Sequence, residues 1–296
     1  MTHAYASQSF VAASARLDDA CSWLQSLGIQ YSKTRVGRYK ALFASLARHQ
    51  LANTLPSFYD EYSFEALVNA AHEVAEIVRI YEGLSQVADA SLTSRLQAAI
   101  KGHELYVLDK EDRSGRDFSL ELSTAAKFAR AGLPVDFGHA ADLRTQYGPF
   151  TFFVECKRLK SARKVPERVK NGLNQLHGRY RKAESPTTSR GLLVLATSKL
   201  VNADLGLLEA DTHEHLGEKA FAHNRAFIEA HRHHWQSGKD NRTLGVAVVF
   251  DTPGIVGSQK LLVTCHEVAM NNAVPVNTPD YHLLLRIAHE VFPKRA

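Results

Sequence analysis

The residues of this chain best suited to chemistry gather in one short stretch, Phe152-Phe153-Val154-Glu155-Cys156-Lys157. In a strand, successive side chains alternate between faces, so Glu155 and Lys157 share one face while Phe152, Val154 and Cys156 point into a core. An acid beside a lysine at the end of an apolar strand is a poor choice for stability alone, because buried charge is costly unless paired or bound to metal. A second acid, Asp142, stands in Ala140-Ala141-Asp142-Leu143-Arg144, joined to the Glu155 segment through a Tyr147-Gly148-Pro149 turn. If the two segments pair as a hairpin, Asp142 and Glu155 lie close together and repel unless a cation sits between them. Hard oxygen ligands with room for water favour Mg²⁺ or Mn²⁺. Such an ion acidifies a bound water and stabilises charge on a phosphate under attack. Lys157 would orient that water or neutralise the transition state. Glu121 lies on the helix leading into the first strand, and is expected to serve as a metal ligand through water or as a ligand of a second metal.

The elements needed to hold these residues can be read from apolar spacing. A helix is expected over 117–131, with Leu120, Ala125, Phe128 and Ala129 near one face and Gly132 closing it. Short strands are expected over 133–137, 140–145 and 151–159. A helix over 166–183 carries Val169, Leu173, Leu176 and Tyr180 on one face. A strand over 191–196, a His-rich helix over 214–235, strands over 244–250 and 260–265 and a helix over 281–291 complete the chain. Gly254 and Gly257 read as a hairpin loop. This order describes an α/β protein with a mixed sheet.

The first hundred residues read as helical. Phe10, Ala13, Leu17, Cys21 and Leu24 make one stripe, stopped by Gly28. Tyr39, Leu42, Phe43 and Leu46 make a second. Phe64, Leu67, Ala71, Val74, Val78 and Tyr81 make a third, with Ser63 as N-cap. Leu92, Leu96 and Ile100 make a fourth. The expected organisation is a helical domain over 1–105 and an α/β domain over 106–296. Docking, dimerisation and DNA reading all remain open as roles for the first.

The 296 residues carry a net charge of +5, and the charge is uneven. The window 157–182 holds ten Lys and Arg against one acid, Glu167. Such a concentration attracts a polyanion such as a phosphate backbone. Cys21, Cys156 and Cys265 are far apart and form no CxxC pair, so neither a disulfide framework nor a cysteine zinc site is indicated, and a reducing cytoplasm is the expected setting. No apolar run approaches the roughly 20 residues that span a bilayer, and no secretory signal opens the chain.

The series Glu121, Asp142 and Glu155-Cys156-Lys157, with its flanking text FSLELSTAAKFARAGLPVDFG, ADLRT and FFVECKRLKS, resembles the PD-(D/E)xK, or restriction-endonuclease-like, nuclease superfamily over about residues 117–200. The resemblance implies a restriction-endonuclease-like mixed-sheet core flanked by helices, here behind an N-terminal all-helical domain. It implies Mg²⁺- or Mn²⁺-dependent hydrolysis of phosphodiester bonds, with DNA the expected substrate, in restriction, phage defence, repair or mobile-element biology. Asp142, Glu155, Glu121 and the Cys156 carbonyl would be metal ligands. Lys157 would assist the water, and Gln175, chosen over Asn171 and Asn174, would position it. Lys157, Arg158, Lys160, Arg163, Lys164, Arg168 and Lys170 would meet the nucleic-acid backbone. A homodimer is a further expectation, since cutting two strands takes two sites. The sequence departs from the pattern at Ala141, where the family name carries proline, and Asp136 competes with Asp142 as the first acid.

Two rival readings remain at this level. One is a nuclease-like module that grips nucleic acid without cutting it. The other places zinc among His213, His215, His223, His231, His233 and His234, although HExxH is absent and a solvated helix face is the simpler account.

Overall fold

The computed structural model describes residues 2–3, 10–108, 115–138, 141–236, 240–257 and 261–293. After a two-residue strand β1 (Thr2–His3) come five helices, α1 (Phe10–Ser26), α2 (Arg35–Leu51), α3 (Leu55–Glu61), α4 (Phe64–Leu84) and α5 (Leu92–Ala99). The apolar stripes account for four of them, and polar caps set their starts. Thr34 accepts a hydrogen bond from Val36 N, and Ser63 accepts one from Ala66 N. Gly28, at φ +74°, lets the chain leave α1. Helix α3 is an addition to the expected set; it is a short segment with Pro56 in its first turn.

Helix α6 (Gly115–Arg130) leads into β2 (Val135–Asp136), β3 (Leu143–Tyr147) and β4 (Phe150–Arg158). Then follow α7 (Val165–Lys182), β5 (Ser189–Ala196), α8 (Ser198–Val201), β6 (Leu208–Ala210), α9 (His213–His231), α10 (His233–Gln236), β7 (Thr243–Val256), β8 (Leu261–Asn272) and α11 (Pro279–Glu290). The strands form one sheet in the order β1-β8-β7-β5-β4-β3-β2, with β6 paired to β7. Strands β4, β5 and β7 run parallel, and β3 and β8 run antiparallel to their neighbours, so the sheet is mixed.

Alternation along the strands divides the core. Phe152, Val154, Cys156, Leu192 and Val194 face one side, under α1, α2, α4, α5, α6 and α11. Phe153, Leu193, Leu195, Val246 and Val248 face the other, under α7, α9 and α10. One apolar cluster therefore runs from the helices of the first hundred residues into the sheet. The boundary expected at 105–106 falls between α5 and α6.

The segment read as a hairpin loop at Gly254 is strand instead. Pro253 and Gly254 pair with Thr264 and Val263 inside β7, while Gly257, just past the end of the strand, is a turn residue as expected. Glycine serves close packing here, since a Cβ at 254 would lie 2.9 Å from both Leu208 O and Leu216 Cδ2. Glycine also seats α7. A Cβ at Gly172 would lie 2.5 Å from Leu193 Cδ1, and one at Gly191 would collide with the Tyr180 hydroxyl. Among the described residues no helix is long and apolar enough to cross a membrane.

Candidate active site

The β3–β4 hairpin pairs Leu143 with Val154, which puts Asp142, one residue before β3, beside the C-terminal part of β4. The Asp142 carboxylate accepts a hydrogen bond from Cys156 N at 2.7 Å. Lys157 Nζ lies 3.5 Å from Asp142 Oδ2, 3.4 Å from Glu155 Oε2 and 3.0 Å from the Cys156 carbonyl oxygen. One ammonium thus gathers three oxygens from two strands. The Cys156 side chain points into the core, and burial pushes its thiol well above the usual range, so only its backbone serves the site.

Two arginines complete the cluster. Arg179 of α7 donates from Nε to Glu155 Oε1 at 3.2 Å, and Glu155 is fully buried. Arg95 of α5 pairs with Glu121 of α6. It also reaches Phe137 O at 3.5 Å and Ala141 O at 3.4 Å, and lies over the Phe137 ring. Burial, together with repulsion from Asp142, pushes the Glu155 carboxyl up to about 7 and that of Glu121 to about 8. Burial disfavours the Lys157 charge, but Asp142 and Glu155 outweigh it and raise the lysine.

The cluster opens on a cleft of about 780 Å³. Glu121, Asp142 and Lys157 line it from the α6 and strand side, and Arg168, Asn171, Asn174 and Gln175 line it from α7. Comparison with known proteins returns no match, whether to a family model, a curated protein or a solved structure.

The expected site residues can now be placed. Asp142, Glu155 and Lys157 come together. Glu121 lines the same cleft but is turned to Arg95. Gln175 faces the cleft, as do Asn171 and Asn174, so the geometry does not single it out. Of the basic residues, Lys157, Arg158 and Arg168 line the cleft. Arg158 also lies over the Tyr106 ring, and Lys160 sits 3.8 Å from Asp117. Arg163, Lys164 and Lys170 are exposed outside the lining. Asp136 is held by Arg144 at 2.6 Å, away from the cleft. Sequence reasoning passed over Arg179 and Arg95. Arg179 stands four residues after Gln175, on the same helix stripe, which is a usable signal. Arg95 has no such signal, because its partner lies in another helix.

Among the described residues no group of three or more His, Cys, Asp or Glu side chains is placed to hold a metal ion. In the His-rich segment the rings of His233 and His234 are 3.8 Å apart, while His223 packs on Phe250. At the end of β4 the available donors are two carboxylates and a carbonyl, all hard oxygens within reach of one cation position. That position is held by the Lys157 ammonium. This donor set suits a hard divalent ion that keeps part of its water shell.

Proposed function

We propose that this chain is a divalent-metal-dependent nuclease with a restriction-endonuclease-like core preceded by a helical segment. The reading is carried by one observation, the convergence of Asp142, the buried Glu155 and the Cys156 carbonyl on the Lys157 ammonium, beside a cleft that Asp142 and Lys157 line. The order α6-β2-β3-β4-α7-β5 supports it, because it places a helix glutamate, a strand acid and an E-x-K strand end around one point. Asp142, Glu155 and the Cys156 carbonyl would hold Mg²⁺ or Mn²⁺, with Glu121 in reach through water. When bound, the ion supplies an acidified water and positive charge against the phosphate. Lys157 would hold a proton at Nζ and donate it in a hydrogen bond to the water or to a phosphate oxygen. Gln175 and its amide neighbours orient the scissile phosphate, and Arg158 and Arg168 hold the flanking DNA backbone.

The pairing of Glu121 with Arg95, which turns it away from Asp142 and Glu155, favours a second reading. In it the fold grips nucleic acid without cutting. Cleavage of plasmid and linear DNA with Mg²⁺ or Mn²⁺ separates the two. Metal-dependent cutting that disappears in Lys157→Ala and Asp142→Asn supports the nuclease. Intact DNA binding with no cutting by folded wild type supports the binding module.

A further inference from the structure

The two edges of the sheet are built differently. At one end the outermost strand, β2, has two residues, follows Pro134 and carries the Asp136–Arg144 ion pair. Shortness, proline and charge are the devices that keep a sheet edge from pairing with another chain. At the other end, among the described residues, β1 pairs with β8 at Thr264 and Cys265. Among the described residues no strand pairs with the outer side of Val268-Ala269-Met270-Asn271-Asn272. That stretch has neither charge nor proline, and alternate backbone groups along it point away from β7.

This edge lies in a groove of about 640 Å³. Phe221, Arg225 and Glu229 of α9 form one wall, and Leu285 and His289 of α11 form the other. Leu285 is 47% exposed, which is unusual for a leucine beside a bare strand edge.

We propose that this edge is a homodimer interface in which β8 strands of two copies pair antiparallel about a two-fold axis. The pairing joins two sheets into one and covers Leu285 and Phe221 of both copies. A two-fold contact brings the same patch together from each side, so the patch must be self-complementary. Charge meets that requirement. Arg225 and Glu229 stand one turn apart on the α9 wall, and the antiparallel wall of an identical chain sets each against its opposite. A strongly acidic or basic peptide would meet one of them as a like charge. Glu229 also lies 3.5 Å from Arg232 of its own helix, so Arg225 has the more to gain. The edge is separated from β4 by β7 and β5, and the interface does not depend on the nuclease reading.

The test is the mass of the full chain in solution by light scattering and sedimentation across a concentration series. Wild type is expected to be a dimer, and Leu285→Glu to weaken it by about tenfold or more. Arg225→Glu and Glu229→Arg should each weaken it, and the double exchange should restore it, because only a self-pairing wall recovers when both signs are swapped. All these side chains except the strand itself are exposed, so the variants should fold, and Leu51→Glu on a remote exposed leucine serves as control. A monomer at every concentration overturns the proposal. So does a dimer indifferent to Leu285→Glu and to both single exchanges.

Discussion

Buried charge occurs in two places in this molecule, and the two are built to opposite ends. Beneath α2, α4 and α6, Glu73 is paired with both Arg35 and Arg116, and its side chain is 2% exposed. Nearby, Asp251 of β7 is held by His266 and by Arg79, at 3.5 Å from the latter. Burial alone would raise Asp251, but His266 and Arg79 outweigh it and hold the carboxyl well below the usual range. At the end of β4, carboxylates are also buried and also paired with Arg and Lys, yet Glu155 and Glu121 are pushed upward. The difference lies in what stands beside each carboxyl. Asp142 repels both glutamates, whereas Asp251 has the His266 ring and the Arg79 guanidinium beside it. Ion pairs alone therefore do not mark a reactive site. Glu76 beside Asp251 is raised in the same way, by burial and by Asp251, so what sets the β4 cluster apart is the cleft on which it opens.

That contrast can be broken by experiment. The largest effect should come from the cleft, where Lys157→Ala is expected to lower metal-dependent cleavage by about 10²-fold or more. Asp251→Asn should leave cleavage within a few-fold of wild type, and equal losses would erase the distinction between the two clusters. Next, Glu73→Gln strands two buried guanidinium groups. Urea unfolding should show a loss of about 3–5 kcal/mol, with a loss near zero contradicting the framework role.

The third effect is smaller and has a sign. Because Glu155 is raised in the fold, the unfolded chain releases its proton first as pH rises. In the metal-free protein Glu155 should therefore contribute a loss of stability as pH rises from 4.5 to about 7. Glu155→Gln should flatten that slope by about 1–3 kcal/mol; an unchanged slope means the carboxyl is not raised. The histidines give the opposite dependence. Burial lowers His266 to about 3 and His72 to about 4, so the unfolded state takes up protons first as pH falls below 6.5. By thermal unfolding, a His72→Gln variant should therefore lose less stability than wild type on going from pH 6.5 to 4, and an identical change in both would mean that His72 is not lowered.

Much of the architecture could be read from alternation and helix spacing. The order of elements from residue 117 to 200 and the shared face of Glu155 and Lys157 follow from periods of 3.6 and 2. The starts of α2 and α4 follow from Thr34 and Ser63. Asp142 could be placed near Glu155 because only a tight turn separates their strands. What could not be read depends on long-range contact. Arg95 reaches Glu121 from a helix that shows only a weak stripe, and Asp251 meets His266 across an antiparallel register that strand content alone does not fix. Gly254 misled because glycine marks both turns and close approaches, and only the position of Leu208 tells which.

The seating of α7 sets a limit on change. At one point the helix has given up its side chain, at Gly172 against Leu193; at another the strand has, at Gly191 beneath Tyr180. Each surface yields once so that the other can lie flush. The gap facing Asp142 is therefore gauged by two missing methyl groups, one of them, at Gly172, within 3.5 Å of Lys157 Cγ. Widening the cleft would take no alteration of any charged residue: alanine at either glycine would lift the wall, and the amide row of Asn171, Asn174 and Gln175 would retreat with it.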